Sequence, residues 1–267
     1  MGDSVRLYLR YAAVSIRAQM QYRASFAMMS VGNLFATGIS FFGLWALFDR
    51  FGQIRGWTMP EVALFYGVVH IAFAIAEAFA RGFDAFDRLV KSGDFDRILL
   101  RPRSTAFQIA ASEIQLMRIG RFTQGAVVLT WALAALDLPW TAPRTLLLTG
   151  TVLGTAAMFA GIFVLQATLA FWTTESLEIV NTITYGGVET AQYPIAIYRP
   201  WFRRFFTFVV PLALVSYFPL VAVLGKDDPL GSPLWLRWVA PTAGFLFLAI
   251  SLRFWRFGVR HYRSTGS

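Results

Sequence analysis

Two groups of polar residues in an otherwise apolar chain have the types and spacing to do chemistry. The first is Asp94-Phe95-Asp96, a pair of acids two residues apart. Such a pair holds a divalent cation in lipid-linked glycosyltransferases, but only inside a nucleotide site that so short a charged segment cannot build. The plainer reading is a solvated, salt-bridged helix. The second group is Glu178, Asn181, Tyr185, Glu189 and Gln192, which step by three and four residues and so share one helical face. If that helix spans a membrane, the stripe must face a partner helix or a watery path. If the helix lies in the cytoplasm, the stripe is an ordinary wet face.

Other chemistry is poorly supplied. The chain has no cysteine, which removes disulfides, thiolate nucleophiles and Cys-ligated metals. His70 and His261 are far apart in sequence and form no zinc-type pair. No G-x-S-x-G, HExxH or phosphate-cradling GxxxxGK[ST] pattern occurs, so the chain has no evident means of binding ATP itself.

The elements that position these residues are membrane helices. Of 267 residues, 57% are hydrophobic and 15% charged, against about 25% charged in soluble domains. The mean hydropathy is +0.55. Apolar segments consume nearly the whole chain, which predicts a single all-α domain over 1–267 with no soluble module. The net charge of +9 comes almost wholly from arginine, because Lys91 and Lys226 are the only lysines. A basic soluble protein would suggest nucleic acid; here the basic loops of a membrane protein explain the charge.

Residues 1–24 are helix-like but too polar to cross. Val5, Leu9, Ala12 and Ile16 form a narrow apolar stripe, while Arg6, Arg10 and Arg17 cluster on another side. That pattern predicts an interfacial helix, and the long run after it argues against a cleaved signal peptide. Spans are predicted at 25–48, 61–80, 105–136, 145–172 and 234–256. Thr58 to Glu61 has capping-box spacing with Pro60 in the first turn. Gly150, Gly154, Ala157 and Gly161 form a small-residue stripe that lets another helix approach closely.

The stretch 81–104 carries ten charges. Asp84 with Arg88, and Asp87 with Lys91, have the spacing of helical ion pairs worth about 0.2–0.5 kcal/mol each. Phe83, Phe86 and Leu89 are left as apolar knobs available for contact. The N-terminal segment, 81–104 and the C-terminal tail are basic, whereas 49–61 and 137–144 carry few basic residues, so both ends are expected inside with an even number of spans. The stretch 173–233 admits two registers: a fifth span at 201–224, favoured by Arg199, Arg203 and Arg204, or one at 176–193 followed by a re-entrant hairpin over 194–225, favoured by Pro194, Pro200, Pro211 and Pro219.

The interfacial helix, the six spans and the string Arg81-Gly-Phe-Asp-Ala-Phe-Asp-Arg-Leu-Val-Lys-Ser-Gly-Asp-Phe-Asp-Arg-Ile-Leu-Leu-Arg-Pro102 resemble the type-2 (exporter) permease subunits of ATP-binding-cassette (ABC) transporters. The later string Tyr193-Pro-Ile-Ala-Ile-Tyr-Arg-Pro-Trp201, with Val210-Pro211 and Tyr217-Phe-Pro219, is similar to their fifth helix and re-entrant segment. The resemblance covers essentially the whole chain and implies the 176–193 register. It implies a coupling helix within 83–97, with Phe83, Asp84, Phe86, Asp87, Arg88, Lys91 and Asp94 meeting a separate ATPase subunit that binds ATP and Mg. It further implies a second permease chain, passage along Glu178, Asn181, Tyr185, Glu189 and Gln192, no enzymatic activity in this chain, and a bacterial cytoplasmic (inner) membrane.

Overall fold

A computed structural model describes residues 2–21, 23–113, 119–173 and 177–263, with some side chains before residue 41 and between 177 and 181 left out. Among these residues all regular structure is helical.

Helix α1 (Gly2–Met20) precedes α2 (Arg23–Phe51). A short loop then leads into α3 (Met59–Asp84), the central helix. Its start is set as its sequence predicts: Pro60 occupies the first turn and the Glu61 carboxylate accepts the Thr58 amide at 2.8 Å. Two short helices follow, α4 (Phe86–Lys91) and α5 (Asp94–Leu99), hinged at Gly93, whose φ of +74° is a conformation that side chains disfavour.

Beyond Pro102 the sequence predicts one continuous helix. Instead α6 (Thr105–Ser112) ends at an extended Glu113, and α7 (Ile119–Ala135) begins after the undescribed 114–118. Two polar side chains account for the stop: Ser112 donates to the Ile109 carbonyl at 2.8 Å, and Glu113 turns outward to Arg88 at 3.4 Å. Helix α8 (Ala142–Leu169) and α9 (Leu177–Ala191) come next. The last region is likewise broken, into α12 (Leu234–Val239) and α13 (Thr242–His261), at Pro241, which lacks the amide a continuous helix requires.

Between them, α10 (Pro200–Arg204) runs into a π-helical turn over Phe205–Val209, and α11 (Leu212–Leu224) follows Pro211. The two arms meet at 104°. Residues 201–224 therefore form no straight span, which rules out the rival register as a single helix. Among the described residues three helices are long and apolar enough to cross a membrane, α3 with its α4 extension, α8 and α13, or four if the bent pair counts as one.

The predicted small-residue stripe of α8 is where α13 lies. A Cβ on Gly244 would stand 1.9 Å from the Gly154 carbonyl oxygen, and one on Gly154 would stand 2.3 Å from that of Pro241. Backbone meets backbone here, which only glycine permits.

Candidate functional site

Helix α3 carries a polar face that an apolar helix has no local reason to possess. Tyr66, His70, Glu77, Arg81 and Asp84 recur at helical spacing with Phe73 among them. Glu77 is fully buried. Its carboxylate holds Arg121 of α7 at 3.2 Å and Arg81 at 3.6 Å. Arg81 also pairs with Asp84 and donates to the Tyr185 hydroxyl of α9 at 3.0 Å. Asp84 in turn accepts from Gln166 of α8 at 3.3 Å. Two acids and two arginines thus balance inside the bundle, and the pairing brings four helices together. Arg121 also caps the face of Phe73 at 4.9 Å.

Further along the same face, Gln124 of α7 donates to Tyr66 at 2.9 Å, and His70 lies under the Tyr66 ring at 4.0 Å. Gln192 donates its amide to Glu189 at 2.6 Å, which leaves its carbonyl toward His70 Nε2 at 3.2 Å and selects the Nε2–H tautomer. The predicted stripe of α9 is therefore drawn together in part. Tyr185 and Gln192 turn inward onto α3, Glu189 is exposed, and the side chains of Glu178 and Asn181 lie outside the described residues. What sequence reading missed is the facing stripe on α3 with Arg121, Gln124 and Gln166. The signal was available in Glu77 and Arg81, one turn apart in a spanning helix, with Asp84 three further on.

The segment after α3 is corrected in a different way. Phe83 and Phe86 are buried, and so is most of the Asp84 carboxylate, so none of the three is free for an outside partner. Phe86 packs edge-on to Trp255 of α13 at 4.9 Å, to Phe95 of α5 at 5.0 Å and to Phe171 at 5.1 Å; Phe83 meets Trp255 at 5.1 Å. These rings bind α4 and α5 to α13 and to the adjoining ends of α3 and α8. The predicted Asp84–Arg88 pair is absent because Asp84 turns inward to Arg81 and Arg88 reaches Glu113 instead. Asp87 and Lys91 do pair, at 3.2 Å. Arg88, Lys91 and Arg97 remain well exposed, along with half of Asp94. A groove of about 400 Å³ runs between these short helices and α6, lined by Gly82, Arg88, Leu89, Asp94 and Glu113 among others.

The far ends are closed by a latch. Lys226 bonds Glu61 at 2.7 Å and the Gly56 carbonyl at 2.9 Å, and lies over the Trp57 ring at 4.5 Å. Asp228 accepts the Tyr217 hydroxyl at 2.9 Å and the Leu230 and Ser232 amides at 3.0 Å. Burial opposes its ionisation, but bonds from the Ser232 side chain and those two amides outweigh this and hold its pKa below the usual value. A lowered pKa means that the stabilisation is present above the ordinary carboxylate range and lost as pH falls through the folded value. Asp228→Ala is expected to lower stability by about 1–3 kcal/mol, because a buried tyrosine hydroxyl loses its partner. Thermal unfolding in detergent would check this, and the mutant's deficit should shrink in acid.

Asp94 is engaged by the Ser92 hydroxyl at 2.8 Å and by Arg97 at 3.5 Å, as in a capped turn. Among the described residues no three His, Asp or Glu side chains converge as a metal site. Long apolar helices held by a balanced ionic core, with a charged platform at one end, suit a membrane component.

No curated protein and no solved structure gives a significant match. The family model described as "ABC-2 family transporter protein" matches residues 34–266, everything from within α2 to the C-terminal tail. The chain accordingly belongs to the ABC-2 transporter family, as a multi-pass permease subunit.

Proposed function

We propose that the chain is the membrane half of an exporter driven by ATP hydrolysis on separate subunits. Two ATPase subunits bind ATP and Mg below the membrane, and a second permease chain, identical or different, completes the pathway. In this reading the chain crosses a bacterial cytoplasmic membrane six times, through α2, α3, α6–α7, α8, α9 and α12–α13, with both ends inside and α1 in the interface. Basic residues at 1–24, 81–104 and the tail support that orientation. Helix α9, at 15 residues, is only about 22 Å long, less than the roughly 30 Å hydrocarbon layer. Its end at Ala191 lies beside Gln192, level with His70, so the chain leaves the helix within the layer. Pro194 and Ile195 are buried there, which is what irregular backbone in a membrane requires. The 104° bend then supports a re-entrant hairpin returning to the Lys226 latch.

The observation that carries the proposal is the platform of α4 and α5. Its inner aromatic side is packed into three spans, while its outer side presents Arg88, Lys91, Asp94 and Arg97 to water. A push on that surface is transmitted to α3, α8 and α13 together. The polar seam of Tyr185 and Gln192 against α3, with exposed Glu189 at its edge, is then the part that rearranges during passage.

Co-purification is the primary test, and an intact detergent-solubilised complex lacking any ATPase subunit would defeat the proposal. A finer one is Arg88→Glu with Lys91→Glu. Surface pairs of this kind add little stability, so thermal unfolding should be nearly unchanged. ATPase stimulation by the permease should fall at least about tenfold, since reversing two charges on a docking surface costs more than about 1.4 kcal/mol.

A further inference from the structure

The topology just proposed creates an anomaly. Arg199, Arg203 and Arg204 fall within six residues on the hairpin, on the side where such loops carry few basic residues. None of the three has an acidic partner among the described residues, and Arg199 and Arg204 are exposed. Arg199 is the extended N-cap of α10, and the Arg203 amide one turn on bonds its carbonyl at 3.1 Å. Solubility does not explain them, because the segment is otherwise aromatic.

The segment that carries the three arginines is anchored by its aromatic side chains to α9. Tyr198 packs with its ring tilted against Phe202 at 4.9 Å, and Phe202 likewise against Phe206 at 4.9 Å. The Tyr198 hydroxyl bonds the Thr190 carbonyl at 3.3 Å. Phe206 is buried and is in reach of Gly187, one turn inward of Ala191 along α9. The π-helical turn therefore sits deeper in the layer than α10, and the arginines lie outward of it. Two large apolar side chains of that deeper turn are uncovered, Phe208 at 80% exposure and Val209 at 66%, and Trp201 beside the arginines is 67% exposed. Cationic groups above, an amphipathic ring beside them and bare apolar side chains below match one kind of molecule from head to tail.

We infer that residues 199–209 form a binding site for an anionic amphiphile of the outer leaflet, its phosphate or carboxylate head on Arg199, Arg203 and Arg204 and its apolar chain along Phe208 and Val209. Guanidinium forks suit an oxyanion bidentately, and Trp201 suits the headgroup boundary. The inference rests on the proposed orientation of the hairpin.

Because the chain has no cysteine, Ile197→Cys in the full-length protein provides one labelling position beside the site. An impermeant fluorescent maleimide applied to intact cells reports the side; labelling only after permeabilisation would overturn the orientation, and the outer-leaflet site with it. The labelled protein is then placed in phosphatidylcholine nanodiscs containing a spin-labelled quencher lipid. Spin-labelled phosphatidylglycerol should quench at least about fivefold more effectively than spin-labelled phosphatidylcholine, as several interfacial arginines together allow. Arg199→Gln with Arg203→Gln and Arg204→Gln should equalise the two lipids. Outside labelling with equal quenching in the unsubstituted site would overturn the inference while leaving the orientation standing. Displacement by millimolar inorganic phosphate would also overturn it, by assigning the site to soluble anions.

Discussion

Glu77→Leu is expected to destabilise the protein by about 3 kcal/mol, the cost of leaving one partner of a buried pair uncompensated. Arg121 bears most of that loss. Its side chain has 14% exposure and its guanidinium bonds Glu77 at 3.2 Å, and the Phe73 ring is a weak substitute. Arg81 loses less, because Asp84 and Tyr185 still hold it. Glu77→Gln should fall between the two, retaining a hydrogen-bond acceptor without the charge. The double mutant Glu77→Leu, Arg121→Leu should recover part of the stability, since it removes both charges together. Thermal unfolding of the four proteins in one detergent is the measurement. If Glu77→Leu unfolds at the wild-type temperature, the ionic core does not hold α3 to α7.

Gly244→Leu should be still more damaging, because no rotamer relieves a clash with backbone. Its Cβ would stand 1.9 Å from the Gly154 carbonyl oxygen, so α8 and α13 must separate along a contact that closes the bundle. Overpacking a well-filled core typically costs about 1–3 kcal/mol, and a clash this close belongs at or above the top of that range. The mutant should be lost from the monodisperse peak in size-exclusion chromatography. Gly150→Ala is the matched control, since its added Cβ would meet Pro241 at an ordinary 3.9 Å. Equal behaviour of the two mutants would show that α8 and α13 do not rely on this approach.

These two predictions differ in what the sequence offered. The small residues of α8 were legible as a stripe, because their spacing alone implies close approach; which helix would use it was not, since every span is apolar enough to serve. The polar face of α9 was legible for the same periodic reason. Its match on α3 is hidden because Glu77 and Arg81 lie where hydropathy ends the span and a charged loop begins. The same boundary puts Phe83, Asp84 and Phe86 on an expected surface. A run with ten charges reads as wet throughout, yet the turn at Gly93 folds its aromatic side under Trp255 and leaves only the opposite side exposed.

By itself the sequence determined that the chain is a multi-pass helical membrane protein, for reasons of solvent: hydrocarbon demands long apolar helices and leaves charges at their ends. It also determined the N-cap of α3, a contact within four residues. Tertiary structure alone decided which polar residues neutralise one another, because Glu77, Arg121 and Arg81, like Lys226 and Glu61, are partners only after the helices are side by side. It also decided that α6 stops at Glu113, where a contact with Arg88 of another helix competes with the next intrahelical bond. The breaks at Pro211 and Pro241 are by contrast written locally, in residues without an amide to donate. Local propensity contains the prolines but not the Arg88 contact.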